Sequence, residues 1–142
     1  MKPAIIVTAA VIERDGSLLL TRRLDGTHLA GTWEFPGGKC EGDEPLEACL
    51  RRELAEELGV GVEVDEEVFS ARHAYPEKTV QLHFFACRLR SEPRPLLGQE
   101  MRWVPREALG SLRFPEADRE LVERPATAGS SPSAPAGTSS GR

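Results

Sequence analysis

The chain has 142 residues, of which 39% are hydrophobic and 29% are charged, and its formal net charge is −5. This length and composition fit one globular domain with a buried core and leave no room for two. The negative charge argues against a protein that is held on DNA or RNA by a basic face, because phosphate neutralisation supplies most non-specific affinity.

The first 22 residues predict a β-hairpin. Residues 4–12 and 17–22 are rich in aliphatic side chains and are separated by Asp15-Gly16, a standard hairpin turn. Residues 1–11 lack the basic start and the long apolar core of a secretory signal, so a strand is the better interpretation. A loop is expected over residues 24–32.

The most specific segment is residues 38–60, GKCEGDEPLEACLRRELAEELGV. It predicts a helix from about residue 45 to residue 58, with Pro45 at its start and Gly59 as its C-terminal cap. One apolar stripe of this helix consists of Leu50, Leu54 and Leu58, and the carboxylates that crowd its flank are Glu53, Glu56 and Glu57.

Carboxylates three and four residues apart repel one another on a helix, and a multivalent cation removes that repulsion. Mg²⁺ prefers oxygen ligands and completes its shell with water and substrate phosphates. Before the helix, Gly37-Gly38 allows the backbone to approach a ligand closely. Arg52 is placed to pair with Glu44 and so to brace the loop against the helix. The alternative interpretation is a solvated acidic helix face.

Residues 38–60 match the Nudix hydrolase signature at every specified position, and the preceding WEFPGGK resembles its MutT-type branch. The resemblance implies a mixed β-sheet between helices, a nucleoside diphosphate linked to another group as the substrate, and Mg²⁺ or Mn²⁺ as the cofactor. A small polyphosphate is compatible with the acidic chain because the metal can carry its charge.

The resemblance also implies roles for individual residues. The metal ligands would be Glu53, Glu56, Glu57 and the Gly37 carbonyl. The general base would be Glu53 or Glu56, with Arg52 and Glu44 orienting the others. Leu97 stands where many family members supply a further metal-binding glutamate, which leaves Glu100 as the nearest acid that could replace it.

The second half of the chain predicts further strands and two short helices. Extended segments are expected at residues 62–64, 68–73, 79–89 and 101–104, with a turn at 75–78, and helices at 105–109 and 115–123. The pattern alone indicates a mixed α and β protein, in agreement with the α/β/α sandwich of the family. The predicted domain is residues 1–125. The Ala-, Gly-, Ser- and Pro-rich residues 126–142 are expected to be a disordered tail.

Substrate-contacting residues are predicted on both sides of the signature. Arg23 and His28 resemble phosphate- and nucleotide-contacting positions, although solvated surface side chains are the alternative. Asp118 stands where the MutT branch places an amide against an oxidised purine, or else it is only a helix-start residue. The expected backbone and side-chain contacts near the signature are Glu34, Phe35, Pro36, Gly37 and Gly38. The aromatic residues available to stack a nucleobase, or more simply to fill the core, are Trp33, Phe35, Phe84 and Phe85.

Three cysteines, Cys40, Cys49 and Cys87, are an odd number without CxxC spacing. They predict neither a disulfide framework nor a zinc site, and they favour a reducing cytoplasm. No apolar run approaches the roughly 20 residues that span a bilayer, so no membrane segment is expected.

The leading hypothesis is a nucleoside triphosphate pyrophosphohydrolase that acts on 8-oxo-dGTP or a related damaged nucleotide. A pyrimidine enzyme that acts on CTP or 5-methyl-dCTP is the runner-up. From a different class, the chain could be a non-catalytic nucleotide sensor. We expect a monomer or homodimer that forms no stable complex with nucleic acid.

Overall fold

The computed structural model describes residues 4–27 and 30–123. Within them the strands are β1 (Ala4–Arg14), β2 (Ser17–Arg22), β3 (Trp33–Glu34), β4 (Gly37–Lys39), β5 (Val62–Ala74), β6 (Thr79–Leu89) and β7 (Met101–Pro105). The helices are α1 (Leu46–Leu58), a 3₁₀ helix (Arg106–Ser111) and α2 (Glu116–Val122).

The N-terminal hairpin is present as predicted. β1 runs to Arg14, which pairs with Ser17 across the turn. Asp15 and Gly16 have φ angles of 51° and 82°. Two successive left-handed residues are the geometry that a tight hairpin with the usual strand twist requires.

The sheet is mixed because one of its strand pairs is parallel and the others are antiparallel. β1 pairs in parallel with β6, from Ala4 opposite Thr79 to Ile12 opposite Cys87. The remaining pairs, β1–β2, β1–β4, β2–β3, β2–β7 and β5–β6, are antiparallel. The order of the main path is β3-β2-β1-β6-β5.

Helices cover both faces of this sheet. On one face the α1 stripe of Leu50, Leu54 and Leu58 is fully buried and belongs to a cluster with Phe85. On the other face the cluster contains Phe84 together with residues that follow β7. The chain after β7 contributes residues that include Leu109, Phe114, Leu121 and Val122. The predicted mixed sheet between helices is therefore confirmed.

Some elements differ from the prediction in length or type. β3 and β4 lie in a stretch that was not predicted as strand, since such short strands are defined by their partners: Glu34 pairs with Thr21, and Gly37 with Ala9. β5 is one continuous strand with irregular register between Val64 and Phe69. The short helix after β7 is a 3₁₀ helix.

The expectation of no disulfide is wrong in this structure. Cys40 and Cys49 form a disulfide, with their Cα atoms 5.3 Å apart, while Cys87 is a buried free thiol. The pairing arises because the chain turns back between β4 and α1, which brings two cysteines without CxxC spacing together.

Within the described residues, no helix is long and apolar enough to cross a membrane. The predicted domain end at residue 125 and the tail of residues 126–142 lie outside the described residues.

Candidate active site

One cavity of about 380 Å³ brings together most of the predicted site residues. It lies where β1, β4, α1, the β5–β6 turn and the start of α2 meet. The predicted residues that line it are Arg23, Glu34, Phe35, Gly37, Gly38, Glu53, Glu57 and Asp118.

Two glutamates of α1 form the acidic end of this cavity. Glu57 is hydrogen-bonded to Glu53 and accepts a hydrogen bond from the Gly37 N–H. Burial, followed by the charges of Glu34 and Glu53, raises the pKa of Glu57 to about 8. One proton is therefore held at this end of the cavity at neutral pH when no cation is present.

The double glycine allows the strand to lie directly against these acids. A Cβ atom on Gly37 would overlap the Thr8 carbonyl, and a Cβ atom on Gly38 would overlap the Glu53 carboxylate. Gly37 therefore requires glycine, because backbone atoms of β1 occupy the space of a Cβ atom, whereas Gly38 leaves room for the Glu53 side chain in its present position.

The predicted brace between loop and helix is present. Arg52 donates to both Glu44 carboxylate oxygens, through Nε at 2.7 Å and Nη2 at 3.0 Å. Its Nη2 also donates to the Lys39 carbonyl at 3.1 Å. The hydrogen bond from Arg52 lowers the pKa of Glu44, and Glu44 in turn raises the pKa of the Arg52 guanidinium. The pair fixes the loop that precedes α1 against the helix.

A second buried acidic group lies elsewhere in the cavity wall. Arg23 Nη1 donates to Glu34 at 2.9 Å, and Asp118, near the start of α2, is only 6% exposed. Burial, followed by the charge of Glu34, raises the pKa of Asp118 to about 7, although Arg23 acts in the opposite direction. Burial also raises the pKa of Glu34. Asp118 can thus be present in either protonation state near neutral pH.

Residues 7–124 match the model of the family described as the NUDIX domain. The chain belongs to this family.

Individual Nudix relatives agree with this assignment. The chain is 37% identical over 126 residues to the 8-oxo-dGTP diphosphatase of Haemophilus influenzae, an alignment that covers 87% of this chain and 92% of that protein. It is 47% identical over 77 residues to the CTP pyrophosphohydrolase of Escherichia coli, covering 54% of this chain and 57% of that protein.

A similar structure has also been determined. The solution structure of the Escherichia coli ORF135 protein superimposes with a TM-score of 0.77 at 36% sequence identity, covering 86% of this chain and 88% of that one. The predictions of the Nudix fold, of membership in the MutT-like group and of a hydrolase are confirmed. Nudix hydrolases act on small nucleotide substrates and generally use a divalent metal.

The residues of the cavity fit such a metal. Glu53 and Glu57 offer only oxygen donors and are largely shielded from solvent. The charge of Glu53 contributes to the raised pKa of Glu57, and a bound cation would relieve that repulsion. Within residues 4–27 and 30–123, however, no three His, Cys, Asp or Glu side chains are grouped closely enough to form a complete protein-only metal site. Water and substrate phosphates would have to supply the remaining ligands.

Glu56 and Glu100, both predicted as ligands, are not brought to this cavity. The Glu56 side chain is 58% exposed and pairs with Arg52 at 3.3 Å. Glu100 accepts hydrogen bonds from Arg22 at 3.3 Å and from Arg102 at 2.8 Å. Neither glutamate is among the residues that line the cavity. His28 lies outside the described residues.

The four aromatic residues lie in the core, which is the simpler of the two interpretations of the sequence. Trp33, Phe35, Phe84 and Phe85 are all at most 6% exposed. Phe35 also lines the cavity and stacks on Phe114 with ring centroids 5.9 Å apart.

Several residues at the site were not predicted, among them Tyr75, Lys78 and Gln99. Tyr75 and Lys78, interpreted only as a turn, line the cavity from the β5–β6 connection. Gln99 is buried, and its Nε2 donates to the Glu57 carbonyl at 3.3 Å. The sequence signal for Tyr75 and Lys78 is an aromatic and a cationic residue in one turn. That turn reaches the cavity because β6 pairs with β1.

Proposed function

We propose that this Nudix protein hydrolyses a nucleoside triphosphate to a nucleoside monophosphate and pyrophosphate, with Mg²⁺ as the cofactor and Mn²⁺ as a substitute. The proposed preferred substrate is 8-oxo-dGTP or a similarly damaged purine nucleotide. The observation that carries this proposal is a single cavity whose wall contains both the acidic pair Glu53–Glu57 and the separate buried carboxyl of Asp118. The acidic pair suits a metal-bound polyphosphate, and the Asp118 carboxyl suits a nucleobase.

The polyphosphate would lie against β4 and the start of α1. Glu53, Glu57 and the Gly37 carbonyl would hold the metal, whose chemistry is to neutralise phosphate charge and to lower the pKa of bound water. Glu56 would join them only after its side chain leaves Arg52, with which it pairs in this structure. Lys39 and Lys78 supply positive charge beside the same cavity wall. Arg52 and Glu44 keep the loop and the helix in register.

The hydrolytic step needs one base. We assign it to Glu53, with Glu56 as the alternative, because Glu53 faces Gly38 inside the cavity whereas Glu56 points outward. Its carboxylate takes the proton of the attacking water as the water oxygen bonds to phosphorus and the phosphoanhydride bond breaks. Pyrophosphate leaves, and no covalent intermediate is required.

The nucleobase of the substrate would be recognised by Asp118 and the Arg23–Glu34 pair. A protonated carboxyl both donates and accepts hydrogen bonds, as the amide edge of an oxidised purine requires. The raised pKa of Asp118 supports this role because part of the population is protonated near pH 7. A free nucleotide as substrate also supports the proposed cytoplasmic location.

A pyrimidine substrate is the second candidate. It is favoured by the 47% identity to the Escherichia coli CTP pyrophosphohydrolase over a shorter alignment. An ionised Asp118 would accept a hydrogen bond from the exocyclic amine of cytosine. The two candidates therefore differ in the protonation state that they require of one residue.

The experiment that tests the proposal is pyrophosphate release with Mg²⁺ from 8-oxo-dGTP, dGTP, CTP, 5-methyl-dCTP and ADP-ribose, compared by kcat/KM. An 8-oxo-dGTP to dGTP ratio of about 10² or more would support purine sanitation, since that ratio corresponds to more than one good hydrogen bond. Preferential turnover of CTP or 5-methyl-dCTP would support the second candidate.

Glu53→Gln and Glu56→Gln distinguish an enzyme from a nucleotide sensor. If the protein is an enzyme, the native chain turns over nucleotide and at least one of the two variants loses that turnover. If it is a sensor, the native chain shows no turnover and both variants retain nucleotide affinity. Glu47→Gln is the matched control, since Glu47 lies on the same helix, is 55% exposed and pairs only weakly with Arg51 at 4.0 Å.

A further inference from the structure

The Cys40–Cys49 disulfide lies inside the signature segment. Cys40 immediately follows β4, and Cys49 is the fourth residue of α1. Cys40 is partly exposed, whereas Cys49 is completely buried. The bond therefore links the two ends of the loop that separates the double glycine from α1, and one of its two residues is partly exposed to solvent.

This bond joins the two surfaces that the proposed chemistry must keep in register. Cys49 lies one helical turn before Glu53, on the same side of α1. Its Sγ lies 3.3 Å from the Thr8 hydroxyl and 3.8 Å from the Gly38 carbonyl. Gly38 is in turn the residue on which a Cβ atom would overlap Glu53. A change in the position of the sulfur atoms is thus transmitted to the Gly38–Glu53 contact.

A second brace spans the same loop without a covalent bond. It consists of the Arg52–Glu44 ion pair and the hydrogen bond from Arg52 to the Lys39 carbonyl. Backbone bonds add to it, because the Cys40 N–H donates to the Ile6 carbonyl at 2.9 Å. Loss of the disulfide therefore loosens the loop without releasing it completely.

We propose that the Cys40–Cys49 pair is a reversible redox clamp on the metal- and phosphate-binding end of the cavity, an inference that rests on the proposed function. In the disulfide form the Gly38–Glu53 contact is fixed and the site binds metal tightly. In the dithiol form the loop is held only by the Arg52 contacts and the backbone hydrogen bond of Cys40, and metal affinity and kcat/KM fall. In a reducing compartment disulfides are usually transient, which suits a bond that reports oxidising conditions.

Cleavage of the clamp follows ordinary thiol–disulfide exchange with a dithiol reductant. One thiolate of the reductant attacks Sγ of Cys40, the less buried residue of the pair, and Cys49 leaves as a thiolate that takes up a proton. The second thiol of the reductant then attacks the mixed disulfide and releases Cys40. The protein gains two electrons and two protons, and the reductant becomes a disulfide. Exchange with an oxidised dithiol reverses these steps.

The experiment compares the same full-length protein after incubation with oxidised or reduced dithiothreitol, followed by removal of the reagent. Peptide mapping after alkylation reports the Cys40–Cys49 bond. Thermal unfolding, Mn²⁺ binding followed by the EPR signal of the free ion, and kcat/KM on the best nucleotide report its effect. We expect the disulfide form to have a Tm roughly 5–10 °C higher, since the bond closes a short loop in the unfolded chain.

We also expect the dithiol form to bind Mn²⁺ and to turn over substrate about three- to tenfold less well, because a small displacement of a positioned ligand reduces catalysis strongly. Cys40→Ser should behave like the dithiol form under both treatments. Cys87→Ala, which removes the buried free thiol, should retain the full response to both treatments.

A bond that fails to form under oxidation would overturn the inference. So would a bond that changes Tm while the Mn²⁺ dissociation constant and kcat/KM stay within twofold, because the disulfide would then be a structural link only. Redox-dependent Mn²⁺ binding in a protein that hydrolyses no nucleotide would support the clamp and refute the proposed function, so the two failures are distinguishable.

Discussion

At the scale of single residues, the site contains two carboxyl groups that keep protons near neutral pH. Glu57 and Asp118 line the same cavity, and burial raises the pKa of both, to about 8 and about 7 respectively. The first shift is the kind that a metal ion reverses, and the second is the kind that adapts a hydrogen-bonding pattern to a ligand. The two residues therefore predict different responses to substitution.

Substitution of Glu57 should affect the metal first. For Glu57→Gln we expect a dissociation constant for Mn²⁺ at least about tenfold higher, since changes around metal ligands commonly have effects of that size. For Glu53→Gln we expect kcat to fall about 10²- to 10⁴-fold, the usual contribution of a general base. Mn²⁺ titrations and kcat at saturating Mg²⁺ would separate the two roles. Equal metal affinity in Glu57→Gln and the native chain would contradict the assignment of Glu57 as a ligand.

Asp118 should make substrate choice depend on pH. Its protonated fraction falls as pH rises through about 7, so the donor needed for an oxidised purine is lost while the acceptor for cytosine is gained. We expect the ratio of kcat/KM for 8-oxo-dGTP to that for CTP to fall by about tenfold between pH 6 and pH 8.5, consistent with the loss of one buried hydrogen bond.

Asp118→Asn provides the control for this pH dependence. An amide donates and accepts at every pH in this range, so the ratio should become independent of pH and should favour the purine. Because the ratio compares two substrates in one enzyme, the effects of pH on metal binding and on the general base Glu53 cancel. A ratio that varies equally in both proteins would remove Asp118 from base recognition.

At the scale of elements, the approach of β4 to α1 is set by a missing side chain. In Gly38→Ala the new Cβ atom would overlap the Glu53 carboxylate, which must then turn away. We expect kcat to fall about 10²-fold, as for a displaced catalytic group, while the far-ultraviolet circular dichroism spectrum is unchanged.

Gly110→Ala is the matched control for that substitution. No atom lies within 4 Å of a Cβ atom built at Gly110. Its kcat and Tm should equal those of the native chain. If Gly38→Ala retains full activity, the Glu53 carboxylate does not need the position seen here.

The elements also show how far the sequence alone reaches. The helix of residues 46–58, its buried leucines and the Arg52–Glu44 pair follow from spacing within one segment, and all are present. The burial of Asp118 and the place of Tyr75 and Lys78 depend on how distant segments meet, and the Cys40–Cys49 bond depends on how the chain turns back between β4 and α1. Local patterns contain no information on such contacts, so the sequence could suggest these residues without assembling them.

Glu56 and Glu100 illustrate the same limit from the other direction. A helical projection places Glu56 near Glu53, but the competing attraction of Arg52 turns it outward in the structure. Glu100 is the acid nearest in sequence to Leu97, where many family members have a metal-binding glutamate. However, Arg22 and Arg102 hold the Glu100 carboxylate and lower its pKa. Neighbouring cations decided both orientations.

At the scale of the whole molecule, buried acids make stability depend on pH. Between their ordinary pKa values near 4 and the raised values near 7 to 8, Glu57 and Asp118 hold protons in the folded state that the unfolded chain has released. Stability is therefore expected to fall as pH rises through this window, by on the order of 1–3 kcal/mol for the metal-free protein. Thermal unfolding in EDTA from pH 5 to pH 8.5 measures the loss.

Added Mg²⁺ should reverse most of this loss at high pH, since an ion that binds only the folded state stabilises it. The double substitution Glu57→Gln with Asp118→Asn should flatten the pH dependence in EDTA. A metal-free native chain whose Tm is constant across this range would show that neither acid is protonated when folded.

The parallel pairing of β1 with β6 has a consequence for how the chain is made. Ala4 is synthesised before the signature helix, but its neighbour Thr79 is synthesised only after that helix is complete. Until then α1 has no finished sheet on which to bury its leucines, and pairing of such distant segments is slow. The nascent protein thus carries α1 with its apolar stripe of Leu50, Leu54 and Leu58 exposed for much of its synthesis.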